Sequence, residues 1–361
     1  MANSALHKPS KSLNFSEFLS LELFNAYVAN SLFFFLLNAC SEVNPPAGEG
    51  NLIHTSLKTT QLPNGGLDYA VWEPPGYKVG QKLPLIISLH GGGGSQEELE
   101  SLLPSISEEM AKGDFPAAIW SMPSAGRSFY MNAKDGSADW ESVIVDEYIP
   151  AVMRQYGITD TNSVVITGVS MGGMGGLRIA FKHPEKFGAV AVLEPAIEAA
   201  FNWEALITSD TFYREDVYPK IFGNPVDPEY WQANHPTAIA NANPRSLDDL
   251  NIYIEVGDVD DLKLYRGGEF LHRVLFDHGV EHEYRLVRGA DHVGSEFMKL
   301  RFVNMLGFVN RHFNPVEEGV RSIGLKKLLS AMLDDSDFEP DVPLRPHRSV
   351  QRKDKYSCSI K

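Results

Sequence analysis

Gly168-Val169-Ser170-Met171-Gly172 restricts the folds open to this chain more than any other stretch. An apolar run, Ser163 to Thr167, leads into it, and a helix-compatible segment starts at Gly173. Few architectures turn a strand sharply into a helix around a single serine. A serine hydroxyl is a weak nucleophile unless a base removes its proton, and a carbonyl can reach it only if it stands clear of the backbone. Gly168 and Gly172 give such a turn its room, because side chains there would collide with strand or helix, and Gly173 extends the relief into the first helical turn.

A second piece lies upstream. Pro84 to Leu89 is a short apolar run with no polar face, which predicts a buried parallel strand, and it empties into His90-Gly91-Gly92-Gly93-Gly94. Successive glycines let backbone N–H groups turn toward a developing oxyanion, so the N–H of Gly91 or Gly92, together with that of Met171, is the predicted oxyanion hole. A phosphate cradle would want a lysine followed by Ser or Thr after the glycines, and none follows.

A base is expected near the C-terminus. His292 fits best: it follows the strand-like Glu281 to Val287 and the turn Arg288-Gly289-Ala290-Asp291, and it precedes an amphipathic helix from about Glu296 to Phe313. His90 belongs to the glycine loop, His183 precedes Pro184 at a helix end, and His272, His278 and His282 read as surface positions. His278 and His282 are four apart, but Gly279 and Val280 argue against the helix that would pair them on a metal, so no metal is expected. For the acid, the core strand Ile252 to Val256 leads into Gly257-Asp258-Val259-Asp260-Asp261. Asp260, fourth in Gly-x-x-Asp, is the leading candidate to orient the imidazole, with Asp258 its close rival and Glu194, after the strand Ala189 to Leu193, a more distant one.

From about His54 to Phe313 the chain resembles the esterase superfamily that includes esterase D, feruloyl esterases, enterochelin-type esterases and mycolyltransferases of the antigen 85 kind. The resemblance rests on Leu89-His90-Gly91-Gly92-Gly93, Asp139-Trp140-Glu141 through Asp146 to Pro150, Gly168 to Gly173, His183 to Ala189 and Gly289-Ala290-Asp291-His292. It implies an α/β-hydrolase fold, a mostly parallel central sheet with helices on both faces and a small cap insertion, and a serine carboxylesterase acting on a small-molecule ester without a cofactor. Members that hydrolyse S-formylglutathione carry a different oxyanion loop and a different residue before the serine.

The aromatic-rich segment from Pro195 to Pro244 matches the region that caps the serine in related enzymes, so His90, Trp203, Tyr213 and Trp231 are candidates for substrate contact, although many of the aromatics are expected to form the cap's own core. Two other readings stay open: a prolyl-oligopeptidase-type serine peptidase, which shares the G-x-S-x-G-G pattern but carries a large N-terminal propeller, and a catalytically silent hydrolase fold that binds a ligand or protein.

Composition agrees with one hydrolase domain, because such folds run to roughly 250 residues as a unit. Residues 51–314 are assigned to it, with the cap at about 195–244. Leu52 to Gln61 and Leu67 to Trp72 flank Pro63-Asn64-Gly65-Gly66, the signal for an antiparallel pair at a sheet edge. A net charge of −15 argues against nucleic acid or anionic membrane as main partners. Residues 1–50 read as a leader: Leu32 to Leu37 is too short to span a bilayer but suits the core of an export signal, and Leu37-Asn38-Ala39-Cys40 resembles a bacterial lipoprotein cleavage site. Export and a membrane tether through Cys40 are therefore expected, with Glu17 and Glu22 against them and a cytoplasmic protein as the alternative. Residues 315–361 predict a short helix and then a charged, proline-punctuated tail that buries too little to order itself.

Overall fold

Strands that are buried on both faces must alternate with helices that cover them, and the computed structural model has this arrangement. It describes residues 49–206, 216–292 and 294–315; Cys40 with its leader, Tyr213 and the charged tail lie outside them. Eight strands form one sheet in the order β1-β2-β4-β3-β5-β6-β7-β8. β1 (Asn51–Lys58) and β2 (Gly66–Glu73) are the antiparallel edge pair, in register Asn51 with Glu73 and Lys58 with Gly66. β2 joins β4 (Ile119–Pro123) antiparallel. From β4 through β3 (Leu85–Leu89), β5 (Val164–Val169), β6 (Ala189–Leu193), β7 (Asn251–Gly257) and β8 (Glu283–Val287) every pairing is parallel.

β3, β4 and β6 are buried at every position. Alternate side chains point to opposite faces of a sheet, so unbroken burial means both faces are covered. This is the α/β-hydrolase fold. Among the described residues no helix is long and apolar enough to cross a membrane.

The helix after β5, Met171–Lys182, is buried along its length, glycines at its start and apolar residues beyond, which lets it lie directly on the sheet. Its far end is tied down by charge. Glu141, buried, accepts from Arg178, whose side chain is wholly out of solvent, from Lys182 at 2.9 Å and from His183 at 3.1 Å, while Arg178 also donates to the carbonyl of Tyr130. Against the upward push of burial, these cations hold the Glu141 carboxyl far below its ordinary value. A depressed carboxylate contributes stability above the unfolded value and loses it as pH falls through the folded one. Glu141→Gln is therefore expected to be less stable than wild type at neutral pH, with the difference shrinking as pH drops below about 4.5. Urea titrations of both proteins from pH 7 to pH 3 check this; a gap that stays constant would contradict it.

The insertion between β6 and β7 includes, among the described residues, the short helices Tyr218–Phe222, Pro228–Ala233 and Pro236–Ala242. Their aromatic side chains pack on one another: Trp203 lies 6.0 Å from Trp231 and 6.1 Å from Tyr218, and Trp231 stacks on His235 at 4.3 Å.

Candidate active site

The strand-to-helix turn is as tight as its glycines demand. Ser170 sits at φ 57° and ψ −117°, a left-handed backbone that a non-glycine residue holds only under constraint. A Cβ on Gly168 would come within 2.3 Å of the Gly172 carbonyl oxygen, and one on Gly172 within 2.1 Å of the Leu89 oxygen. The constraint is met from β6, where the Ser170 N–H donates to the Leu193 carbonyl at 3.0 Å and the Ser170 carbonyl accepts from Ala196 at 2.9 Å.

Three distant pieces of chain converge on this serine. His292, on the loop after β8, places Nε2 3.0 Å from Ser170 Oγ. Its Nδ1 lies 3.4 Å from Asp260 Oδ2, close enough for an ion pair but outside hydrogen-bond alignment. Asp260 is buried and accepts from the N–H groups of Leu262 at 2.8 Å and Leu264 at 3.1 Å. Against the desolvation that raises it, the neighbouring His292 and these N–H groups hold Asp260 below its ordinary value, so it stays ionised. The rival Asp258 is occupied elsewhere, accepting from the Gly289 N–H at 2.6 Å to close the turn that leads to His292.

The glycine loop packs beside the serine. Positions for added Cβ atoms on Gly91 and Gly92 lie 3.9 Å from the Cβ atoms of Ser170 and Met171 respectively. The Gly91 carbonyl is 2.7 Å from His90 Nδ1 and accepts from the Gly94 N–H at 3.1 Å. A trans peptide is planar with C=O and N–H pointing oppositely, so fixing this carbonyl directs the Gly92 N–H the other way. Glu98 lines the cavity at the serine, and burial raises its carboxyl above the ordinary value.

His90 lies among the residues lining the cavity at the serine, but both nitrogens of its ring are engaged by the backbone. Its ring is wholly buried, Nε2 accepts from the Ala125 N–H at 2.9 Å, and Nδ1 is then the protonated nitrogen that donates to Gly91. Desolvation lowers its pKa, in keeping with the neutral ring this pattern requires. Trp231 is likewise buried in the cap, and Trp203 packs against it, so neither lines the cavity at the serine. The described part of the insertion is bonded to the loop that follows β4, Lys134 N–H donating to Ile221 O at 2.8 Å and Tyr230 OH to Asn132 O at 2.9 Å, and none of its described residues lines the cavity at the serine.

A cavity of about 680 Å³ opens at Ser170 and His292, and its apolar wall consists of Leu102, Met122, Met298, Phe302 and Met305. Sequence reading missed this wall. The signal was present in the last helix, Ser295–Phe313, where Met298, Phe302 and Met305 recur at spacings of four and three and so share one face.

A second buried network backs the histidine loop. Arg301, with no solvent exposure, donates from Nη2 to Glu194 Oε1 at 2.7 Å, from Nε to Glu255 Oε1 at 3.1 Å and from Nη1 to the Asp291 carbonyl at 2.9 Å. The last of these anchors the residue immediately before His292.

A mostly parallel sheet with a serine on the turn after β5, a histidine after β8 and a carboxylate after β7 defines the class as an α/β-hydrolase. Residues 61–297 match the family described as "Putative esterase", and the chain belongs to it. Solved structures with the same fold include a ferulic acid esterase (20% identity, 73% of this chain and 99% of that one, TM-score 0.61). An S-formylglutathione hydrolase from Agrobacterium tumefaciens (20%, 74% and 96%, TM-score 0.57) is another. A third is the fluorophosphonate-binding serine hydrolase F of Staphylococcus aureus (18%, 73% and 99%, TM-score 0.57). No curated protein matches the chain in sequence.

Proposed function

We propose that the protein hydrolyses carboxylic esters of apolar acyl groups through an acyl-enzyme on Ser170. The observation that carries this reading is the 3.0 Å approach of His292 Nε2 to Ser170 Oγ at the floor of the cavity. His292 takes the Ser170 proton as Oγ attacks the ester carbonyl, and Asp260 stabilises the imidazolium that forms. The oxyanion is held by the N–H of Gly92 and by that of Met171, which stands in the first helical turn where N–H groups have no intrahelical acceptor. His292 then returns the proton to the departing alkoxide, and a water activated by the same nitrogen releases the acid. The 3.4 Å gap to Asp260 is of the kind that tightens when substrate arrives.

The wall of three methionines, one leucine and one phenylalanine suits an apolar acyl chain, because methionine side chains adapt their shape to what they enclose. Glu98, which also lines the cavity, disfavours an anionic group beside it. Both features favour a neutral ester over a glutathione thioester, whose peptide part carries carboxylates. Burying a methylene contributes about 0.8 kcal/mol, roughly a factor of four. With p-nitrophenyl esters, kcat/KM is therefore expected to rise about fifteenfold from acetyl to butyryl, and S-formylglutathione is expected to be a poor substrate. An acetyl ester cleaved faster than butyryl, or S-formylglutathione cleaved faster than both, would overturn this choice of substrate.

A further inference from the structure

The turn that ends β6 places a carboxyl where the proposed mechanism has no use for one. Glu194 has φ 45°, a left-handed backbone imposed on a non-glycine residue, and its N–H donates to the Glu255 carbonyl at 2.8 Å, which fixes the direction of its side chain. That side chain is wholly buried. Oε1 accepts from the Gly257 N–H at 2.5 Å and from Arg301 at 2.7 Å. Oε2 is buried with no hydrogen-bond partner among the described residues, and the same is true of His292 Nδ1. One carboxylate oxygen of Glu194, one of Asp260 and one ring nitrogen of His292 all lie within 4.8 Å of one another. Two orphaned polar atoms in one dry cluster are a costly arrangement unless they serve each other or a shared neighbour.

Resting on the serine-esterase reading above, we propose that Glu194 and Asp260 form a carboxyl pair serving the same histidine, with Glu194 a positioning residue that takes over the Nδ1–H of His292 when Asp260 cannot hold it. Asp260 already accepts two backbone N–H groups, whereas Oε2 of Glu194 accepts none, so the freer acceptor near the imidazole belongs to Glu194. Two carboxyls this close do not both ionise easily. Burial, with the charge of Asp260 adding to it, pushes Glu194 up to about 8 in spite of Arg301 and the Gly257 N–H. With Asp260 ionised beside it, Glu194 therefore favours its protonated form in the resting protein. Where the Asp260 charge is removed, as in Asp260→Asn, that repulsion disappears, Glu194 gives up its proton to solvent more readily, and its carboxylate can accept Nδ1–H and keep the imidazole in the tautomer that faces Ser170.

A kinetic double-mutant cycle tests this on the full-length protein, with a short-chain p-nitrophenyl ester as substrate. Loss of a triad aspartate that works alone costs about 10⁴ in kcat. Here Asp260→Asn is expected to lose roughly 10- to 100-fold, Glu194→Gln less than about 3-fold, and the double variant about 10⁴, with KM moving little in each. Melting temperatures of the four proteins should be additive, because a merely structural role for Glu194 would lower stability without making the kcat effects interdependent. If the double variant does not fold, Glu194→Asp in the Asp260→Asn background withdraws the carboxylate and should produce the same drop. A loss of about 10⁴ from Asp260→Asn alone, or effects in kcat that simply multiply, would overturn the proposal. Failure of the esterase reading itself would show differently, as a Ser170→Ala variant as active as wild type.

Discussion

Ser170→Ala is expected to lower kcat for ester hydrolysis by on the order of a million-fold, because in the proposed mechanism nucleophile, base and acid act as a unit and losing the nucleophile removes the whole covalent route. The loss should fall on kcat with the substrate still bound, since the acyl wall of Met298, Phe302 and Met305 is untouched. Stability should not fall with it. Removing one hydroxyl leaves the left-handed backbone of residue 170 and its bonds to Leu193 and Ala196 in place. Active-site-directed burst kinetics and a thermal melt of the same preparations separate the two effects. A variant with more than about a hundredth of wild-type kcat would mean that the reaction does not pass through this serine.

The largest effect on stability is expected from Arg301→Met. Arg301 is the cation in a buried network with Glu194 and Glu255, both wholly out of solvent. Removing one partner from a buried network leaves charge uncompensated and costs about 3–5 kcal/mol, a large share of the 5–15 kcal/mol by which proteins are stable. For a domain of this size that corresponds to a melting temperature lowered by roughly 10 °C. Activity should fall as well, because Arg301 Nη1 holds the carbonyl of Asp291 and so fixes the loop that presents His292. A melting temperature within about 2 °C of wild type would show that the network contributes far less than its burial implies.

Much of this arrangement was legible in the sequence for physical reasons. Short apolar runs bounded by glycine and polar residues favour strands with both faces covered, which is why Pro84 to Leu89 and Ser163 to Thr167 fell on or beside β3 and β5. The turn around Ser170 was legible because only glycine tolerates the approaches at positions 168 and 172. Asp260 was favoured over Asp258 by its place in Gly-x-x-Asp, and in the structure the two diverge because Asp258 closes the turn at Gly289.

Other features had no local signal. Glu194 stood out only as a distant rival for the acid, and its pairing with Arg301, 107 positions away, has no signal until β6 and the last helix bring them together. The aromatics of the insertion advertise burial but not what buries them, so Trp231 read equally well as pocket lining or as core. The structural use of the His90 ring had no local signal either. A histidine heading a glycine loop looks like a ligand contact, yet its two nitrogens are used to hold the Gly91 carbonyl and the Ala125 N–H.

Labelling with a fluorophosphonate probe, followed by mass-spectrometric mapping of the adduct, asks most directly whether Ser170 is a hydroxyl activated by His292. The probe should form a single adduct on the peptide carrying Ser170, and His292→Ala should slow its formation at least ~100-fold by removing the base. An adduct on another residue, or a labelling rate unchanged in His292→Ala, would contradict the central claim.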